Sequence, residues 1–210
     1  MSVEKGTLLE RVLDLEWDMF VRVKSAQSVV CQSAPDKFRA VRGSVFTMWT
    51  AEMLSAYLEQ LECAKVRGRN LLTEKYARMD NLIPPLTDSP YIDEIVEINE
   101  FWQRELEEKY PALYKRCCRT MEETGDGKNF SIYLRSELET YGDSTLGLYY
   151  LNVKNAYDKN LNLSIEALEH LVQKSGYKNL EHAESCLSVD KAFSAFDRKT
   201  DGAMKMLIKP

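Results

Sequence analysis

Residues 38–79 read FRAVRGSVFTMWTAEMLSAYLEQLECAKVRGRNLLTEKYARM and align without a gap with residues 130–171, FSIYLRSELETYGDSTLGLYYLNVKNAYDKNLNLSIEALEHL. The two stretches are 92 positions apart (130 − 38 = 92) and share eight identical residues. These are Phe38/Phe130, Ser44/Ser136, Leu54/Leu146, Tyr57/Tyr149, Ala64/Ala156, Asn70/Asn162, Leu71/Leu163 and Glu74/Glu166. The similarity predicts two related multi-helix halves, at about residues 8–83 and 90–177. The alternative is that two unrelated helical hairpins of similar length resemble each other.

Both stretches have similar helix-capping and helix-terminating residues at matching positions. Thr50 is a residue type that caps a helix start, and Gly68 tolerates the left-handed conformation found just after a helix end. Asn70 then follows as the cap of the next helix. In the second stretch Asn160 stands in place of Gly68, and Asn162 in place of Asn70. This shared order of stop and cap supports the repeat.

Apolar residues recur at spacings of three and four along most of the chain, for example at Leu8, Val12, Leu15 and Met19. Such spacing is typical of amphipathic helices, and no segment alternates as a strand does. The predicted fold class is therefore all-α, a helical bundle with no significant sheet. We expect residues 1–187 to form a single domain and residues 188–210 to form a short docking helix with a frayed C-terminal tail.

The composition excludes several classes of function. The chain has 28 Lys and Arg residues against 33 Asp and Glu residues, a net charge of −5, so it lacks the basic surplus of a nucleic-acid-binding protein. No apolar run is long enough for a membrane span, and acidic residues within the first twenty argue against a signal peptide. A cytoplasmic location follows as an expectation. The sequence has no heptad repeat of useful length, so it predicts no oligomeric state.

The cysteines and histidines predict no metal site. The five cysteines include the adjacent pair Cys117 and Cys118, which suits reduced thiols better than structural disulfides. The chain has only two histidines and no Cys-x-x-Cys or Glu-x-x-His motif. No sequence motif identifies a cofactor. Cys31 precedes the capping sequence that begins at Ser33, which makes it either a candidate nucleophile or an inert buried residue.

Three carboxylates are candidate catalytic groups: Glu16, Glu74 and Glu137. Each lies among apolar residues in a helical pattern, and a carboxylate on such a face must find a cation or a hydrogen-bond donor, or keep its proton. Glu74 is spaced to pair with Arg78 at i+4. One hypothesis is that a glutamate transfers protons in a charged pocket between the halves.

Cationic and aromatic residues near these carboxylates are candidate ligand-binding groups. They are Arg39, Arg42, Lys75, Tyr76, Arg78, Tyr133 and Arg135. Arginines in such a pocket grip anionic groups well, which predicts a small anionic ligand. The alternative is a set of salt bridges that fixes how the helices pack.

The segment 68–79, GRNLLTEKYARM, resembles a signature of an uncharacterised bacterial family, the domain of unknown function 4125. Similar pieces occur at Glu16-Trp17, at Cys31-Gln32 and in residues 133–141, so the resemblance spans about residues 8–184. Membership implies no activity. It does imply that the charged residues of the signature occur together, which favours a pocket over incidental salt bridges.

Two functions are consistent with these patterns. The first is an enzyme or binding protein for a small anionic metabolite, which predicts a cavity where the charged side chains meet. The second is a helical-repeat module for protein interaction without catalysis, which predicts an exposed apolar groove.

Overall fold

The computed structural model describes residues 2–23, 30–123 and 129–193. These ranges hold ten α-helices, one short 3₁₀ helix at Val30–Ser33 and no strand, which confirms the all-α prediction. The helices are α1 (Val3–Phe20), α2 (Pro35–Phe46), α3 (Ala51–Val66), α4 (Leu71–Met79), α5 (Tyr91–Lys109), α6 (Pro111–Cys117), α7 (Phe130–Leu138), α8 (Asp143–Asp158), α9 (Leu163–Lys174) and α10 (Leu180–Phe193). None of the described helices is both long enough and apolar enough to span a membrane.

The predicted caps are present. Thr50 accepts a hydrogen bond from the third backbone amide of α3 at 3.2 Å, and Asn70 does the same for α4 at 3.0 Å. Asn162 accepts from the second and third amides of α9 at 2.9 and 3.1 Å. These contacts satisfy amides that have no partner inside the helix, so they fix where each helix begins.

The predicted stops are also present. Gly68 has a φ of 68° and Asn160 a φ of 54°, both in the left-handed region. In each case the following amide donates back to the helix, Arg69 to Ala64 at 2.8 Å and Leu161 to Ala156 at 2.9 Å. Both turns therefore close their helices in the same manner.

The start of α2 differs from the prediction. Ser33 belongs to the 3₁₀ helix, and the N-cap position is taken by Ala34, whose side chain makes no capping hydrogen bond. Pro35 is the first helical residue. A proline at this position needs no partner for its nitrogen and has a φ suited to the first turn, so the helix starts without a side-chain cap.

The described helices can be divided into two groups, α1–α4 and α5–α10, and the largest contacts between them involve three helix pairs. Helix α1 contacts α2, α3 and α4, while α5 contacts α7, α8 and α9. The groups meet where α3 packs on α8, α2 on α9 and α4 on α7. The main core includes Phe46, Met53, Tyr57 and Leu138, all almost without exposed surface. The interface between the groups is therefore built from helices of both.

A second apolar cluster holds the C-terminal helix. Leu180, Ala183 and Leu187 of α10 are buried against residues of α6 and α9. The helix thus begins before residue 188, where we expected the docking segment to start. The side chains of residues 189–193 and all of residues 194–210 lie outside the described part of the chain, and with them most of the predicted tail.

Candidate functional site

A cavity of about 260 Å³ lies between α2, α4, α5, α7, α8 and α9. We call it the interhelical cavity. Its volume is close to the lower end of the roughly 300–1,000 Å³ typical of small-molecule pockets. Its wall is largely aromatic and aliphatic, with four charged side chains among the described residues: Arg42, Lys75, Arg119 and Glu137.

Arg42 is held in place by a carboxylate behind it. Its Nε and Nη2 atoms donate to the two oxygens of Glu16 at 2.7 and 2.6 Å. The hydroxyl of Tyr57 donates to the same carboxylate at 2.8 Å. Glu16 lies on the apolar face of α1, so its side chain is carried inward and has no exposed surface. Glu16 does not line the cavity, and its role is to orient Arg42.

Glu137 joins Arg42 to a second cation. One carboxylate oxygen lies 2.7 Å from Arg42 Nη2 and accepts a hydrogen bond from the hydroxyl of Tyr141 at 3.0 Å. The other oxygen accepts from Lys75 Nζ at 2.7 Å. Glu16, Arg42, Glu137 and Lys75 thus form one continuous ionic chain across α1, α2, α7 and α4.

The surroundings keep Arg42 and Glu137 charged. Burial acts to raise the pKa of Glu137, but the charges of Arg42 and Lys75 outweigh it and hold that pKa well below its usual range. Burial acts to lower the pKa of Arg42, but Glu137 and Glu16 hold it well above its ordinary value. Burial, reinforced by the neighbouring carboxylates, raises the pKa values of Tyr57 and Tyr141. At neutral pH, Arg42 and Glu137 are ionised and both tyrosines keep their protons.

The ring of Tyr133 contacts two cations. Lys75 Nζ lies 3.7 Å from the ring centroid, and the guanidinium carbon of Arg119 lies 4.2 Å from it. Such cation–π contacts stabilise buried cations. Arg119 is itself buried. The ring therefore helps to hold two cations at the wall of the cavity.

Helix α5 contributes two carboxamides to the same cavity. Asn99 and Gln103 lie one helical turn apart, and both are buried. Gln103 Nε2 donates to the hydroxyl of Ser164 at 3.1 Å, and Asn99 Nδ2 donates to the backbone oxygen of Ile95 at 2.8 Å. The cavity thus has neutral polar groups as well as charged ones.

The adjacent thiols also line the cavity. Burial raises the pKa of Cys117 to about 11, and burial raises that of Cys118 further. Both are therefore protonated at neutral pH, which makes them poor nucleophiles. The side chain of Cys31, the candidate nucleophile from the sequence, lies outside the described part of the chain.

Five of the residues selected from the sequence line the cavity: Arg42, Lys75, Tyr76, Tyr133 and Glu137. Glu16 stands directly behind them. The helical spacing that carried these side chains onto apolar faces also brings them together.

Glu74 does not join this group. Its carboxylate accepts two hydrogen bonds from Arg69, at 2.8 and 2.6 Å, so the expected pair with Arg78 is wrong. The turn at Gly68 brings Arg69 back over the first turn of α4. Arg78 instead pairs with Glu139, at 3.1 Å from Nη2, and donates from Nη1 to a backbone oxygen at 2.8 Å.

Arg39 and Arg135 lie outside the cavity as well. Arg39 pairs with Asp14 at 2.6 Å and with Glu10. Arg135 pairs with Asp93 at 2.6 Å, and 42% of its side chain is exposed. Both are surface ion pairs, which contribute little to stability.

Among the polar residues of the site that were missed from the sequence are Arg119, Asn99 and Gln103. The two amides carried a usable signal, because they lie four positions apart on a face of α5 that is otherwise apolar. Arg119 carried none, because it follows the end of α6 in a segment without periodicity.

The comparisons with known proteins identify a family but no activity. A family model described as "Protein of unknown function (DUF4125)" matches residues 6–185. No curated protein and no solved structure matches the chain significantly. The match spans most of the chain and includes both ends of the ionic chain. The protein therefore belongs to the DUF4125 family, as the resemblance in residues 68–79 indicated.

Proposed function

We propose that the interhelical cavity binds a small organic anion. The observation that carries this proposal is that Arg42, Lys75 and Arg119 come from three separate segments and all line one cavity of about 260 Å³. Among the described lining residues, Glu137 is the only acidic one. Buried cations at the wall of a pocket suit the recognition of a carboxylate or a phosphate.

Two of the cations retain donors for a ligand. No described residue accepts a hydrogen bond from Arg42 Nη1, although Nε and Nη2 are both engaged. Lys75 Nζ makes one hydrogen bond, to Glu137, and an ammonium group has three N–H donors. A carboxylate that accepts from both would replace water without breaking the ionic chain.

The geometry favours binding over proton transfer. A general base works best with a pKa near the working pH, whereas the pKa of Glu137 is held far below that range by Arg42 and Lys75. Glu16 has no surface in the cavity, and Glu74 pairs with Arg69 at the surface. The catalytic roles first considered for these glutamates are therefore replaced by structural and positioning roles.

We also infer that the cavity lies between two duplicated halves. Eight pairs of its lining residues are 92 positions apart: Phe38/Phe130, Val41/Tyr133, Arg42/Leu134, Val45/Glu137, Trp49/Tyr141, Leu72/Ser164, Lys75/Ala167 and Tyr76/Leu168. Helices α3 and α8 have 16 residues each, at 51–66 and 143–158, which differ by the same offset. In each charged pair the other member is neutral. In this proposal the sequences of the two halves diverged after duplication, so that residues of both halves form a single site.

The protein-interaction module is the weaker alternative. It predicts an apolar groove as the main feature, whereas the feature described here is a cavity with a buried ionic wall.

Thermal unfolding with a panel of small carboxylates and phosphates tests the proposal. A bound anion at a hundred times its Kd stabilises the folded state by about 2.7 kcal/mol. Lys75→Gln should weaken binding by roughly tenfold or more, because it removes a charge-assisted hydrogen bond. Arg135→Gln, which removes the same charge from the surface, should bind as the wild type does. Equal loss in both variants, or no stabilisation by any anion, contradicts the proposal.

A further inference from the structure

In three carboxamides of the interhelical cavity, the nitrogen donates to a described residue and the oxygen accepts no hydrogen bond from one. Asn99 donates to the Ile95 backbone oxygen at 2.8 Å, and Gln103 donates to Ser164 at 3.1 Å. Asn152 of α8 donates to the backbone oxygen of residue 48 at 3.3 Å. No described residue donates to Asn99 Oδ1, Gln103 Oε1 or Asn152 Oδ1.

The direction of the Asn99 and Asn152 side chains follows from their partners. A backbone carbonyl only accepts, so each amide nitrogen must face it and each oxygen must face away. Gln103 lies on the same face of α5 as Asn99, one turn later, and its Oε1 atom is buried. A buried acceptor without a donor costs about 1–3 kcal/mol, which a bound donor recovers.

A hydroxyl fits these acceptors better than an ammonium does. An ammonium removed from water needs a carboxylate partner. The one acidic residue among the described lining residues, Glu137, is already bonded to Arg42 and Lys75. A hydroxyl is uncharged and needs no carboxylate partner. The wall also offers apolar surface from Trp102, Leu106 and Leu168.

Building on the proposed function, we infer that the ligand is a hydroxylated organic anion. Its anionic group binds Arg42 and Lys75, its hydrocarbon part lies against the apolar wall, and its hydroxyl donates to the amide oxygens of α5. The three parts match three chemical kinds of group that line one cavity: cations, apolar side chains and amide oxygens.

Matched ligand sets measured by calorimetry test this inference. The first set is hexanoate, 6-hydroxyhexanoate, 6-methoxyhexanoate and 6-aminohexanoate. The second is 3-phenylpropionate with its 4-hydroxy and 4-methoxy derivatives. In at least one set the hydroxylated member should bind about tenfold more tightly than its parent, since one good hydrogen bond to a buried acceptor is worth about 1.4 kcal/mol. The methoxy member, which only accepts, should bind no better than the parent.

Gln103→Leu should abolish the preference for the hydroxylated member over its parent, measured as the ratio of the two Kd values. Gln103→Met serves if the leucine variant does not fold, and Gln173→Leu, at an exposed glutamine of α9, is the control. If in both sets the hydroxylated member binds no more tightly than its parent, methoxy or amino counterparts, the inference is wrong, while the proposed function still stands. If no carboxylate binds in either set, the inference fails, and the panel of carboxylates and phosphates decides the proposed function separately.

Discussion

The guanidinium of Arg42 meets the carboxylate of Glu16 in a two-point contact, with hydrogen bonds of 2.7 and 2.6 Å, and Glu16 has no exposed surface at all. A planar pair of this kind fixes the guanidinium in orientation as well as position. Arg42 lines the interhelical cavity and Glu16 does not, so in the proposed function Glu16 orients Arg42 for a ligand. The same two hydrogen bonds explain why a fully buried carboxylate is tolerated in α1.

Removing Arg42 alone should destabilise the fold strongly. Arg42→Met leaves Glu16 buried with only Tyr57 as a partner, and breaking a buried ion pair from one side costs about 3–5 kcal/mol. The double variant Glu16→Leu/Arg42→Met removes both charges and should recover most of that loss. Urea denaturation of the wild type and both variants measures the difference. A single variant as stable as the wild type contradicts the burial of Glu16.

Because of Glu137, the free energy of unfolding should decrease at low pH. Its folded pKa lies well below the ordinary value of 4.5, so its ionised form stabilises the fold above the unfolded pKa. That contribution should fall progressively as the pH drops from about 5 towards the folded pKa. Glu137→Gln should be less stable at neutral pH, because Lys75 loses its partner, and should lose less stability on acidification. Denaturant midpoints at several pH values measure this, and parallel curves for the two proteins refute it.

The turn at Gly68 should tolerate asparagine but not valine. Its φ is 68° and no other group lies within 4 Å of the place where a Cβ would stand, so any cost comes from the backbone itself. A left-handed residue other than glycine costs about 1–2 kcal/mol, and a β-branched one more. Gly68→Val should therefore lower the melting temperature clearly. Gly68→Asn, which copies the turn at Asn160, should lower it little; similar losses in both would show that side-chain size decides the effect.

Cys117 and Cys118 should resist alkylation in the folded protein. Burial raises the pKa of Cys117 to about 11, so near pH 8 its thiolate fraction is about a hundredfold below that of an ordinary cysteine. Cys63 is exposed and serves as the internal reference. Iodoacetamide labelling followed by peptide mass spectrometry should find Cys63 modified first. Equal rates for the two peptides contradict the burial of the thiols.

The sequence was sufficient for the parts of the site that depend on helical period. Glu16, Arg42, Lys75 and Glu137 each lie on an apolar helix face, and packing such faces together brings their side chains into one interior. The left-handed turns at Gly68 and Asn160 could also be predicted from the sequence, because they depend on local backbone conformation alone.

The ion-pair partners of the charged side chains could not be predicted from the helical period. The spacing of Glu74 and Arg78 suits an i+4 pair, yet Arg69 reaches Glu74 across a turn and Glu139 reaches Arg78 from α7. Both partners are set by how helices meet in space, which a helical period does not encode. Arg119 was also missed, because it enters the cavity from an irregular segment that has no helical period.

The most direct test is a crystal structure with the anion that raises the melting temperature most. We predict ligand density inside the interhelical cavity, with the anionic group within hydrogen-bond distance of Arg42 Nη1 and Lys75 Nζ. The Glu16–Arg42 contact should be unchanged from the free protein. Density at surface cations such as Arg39 or Arg135, with the cavity holding only water, would contradict the account.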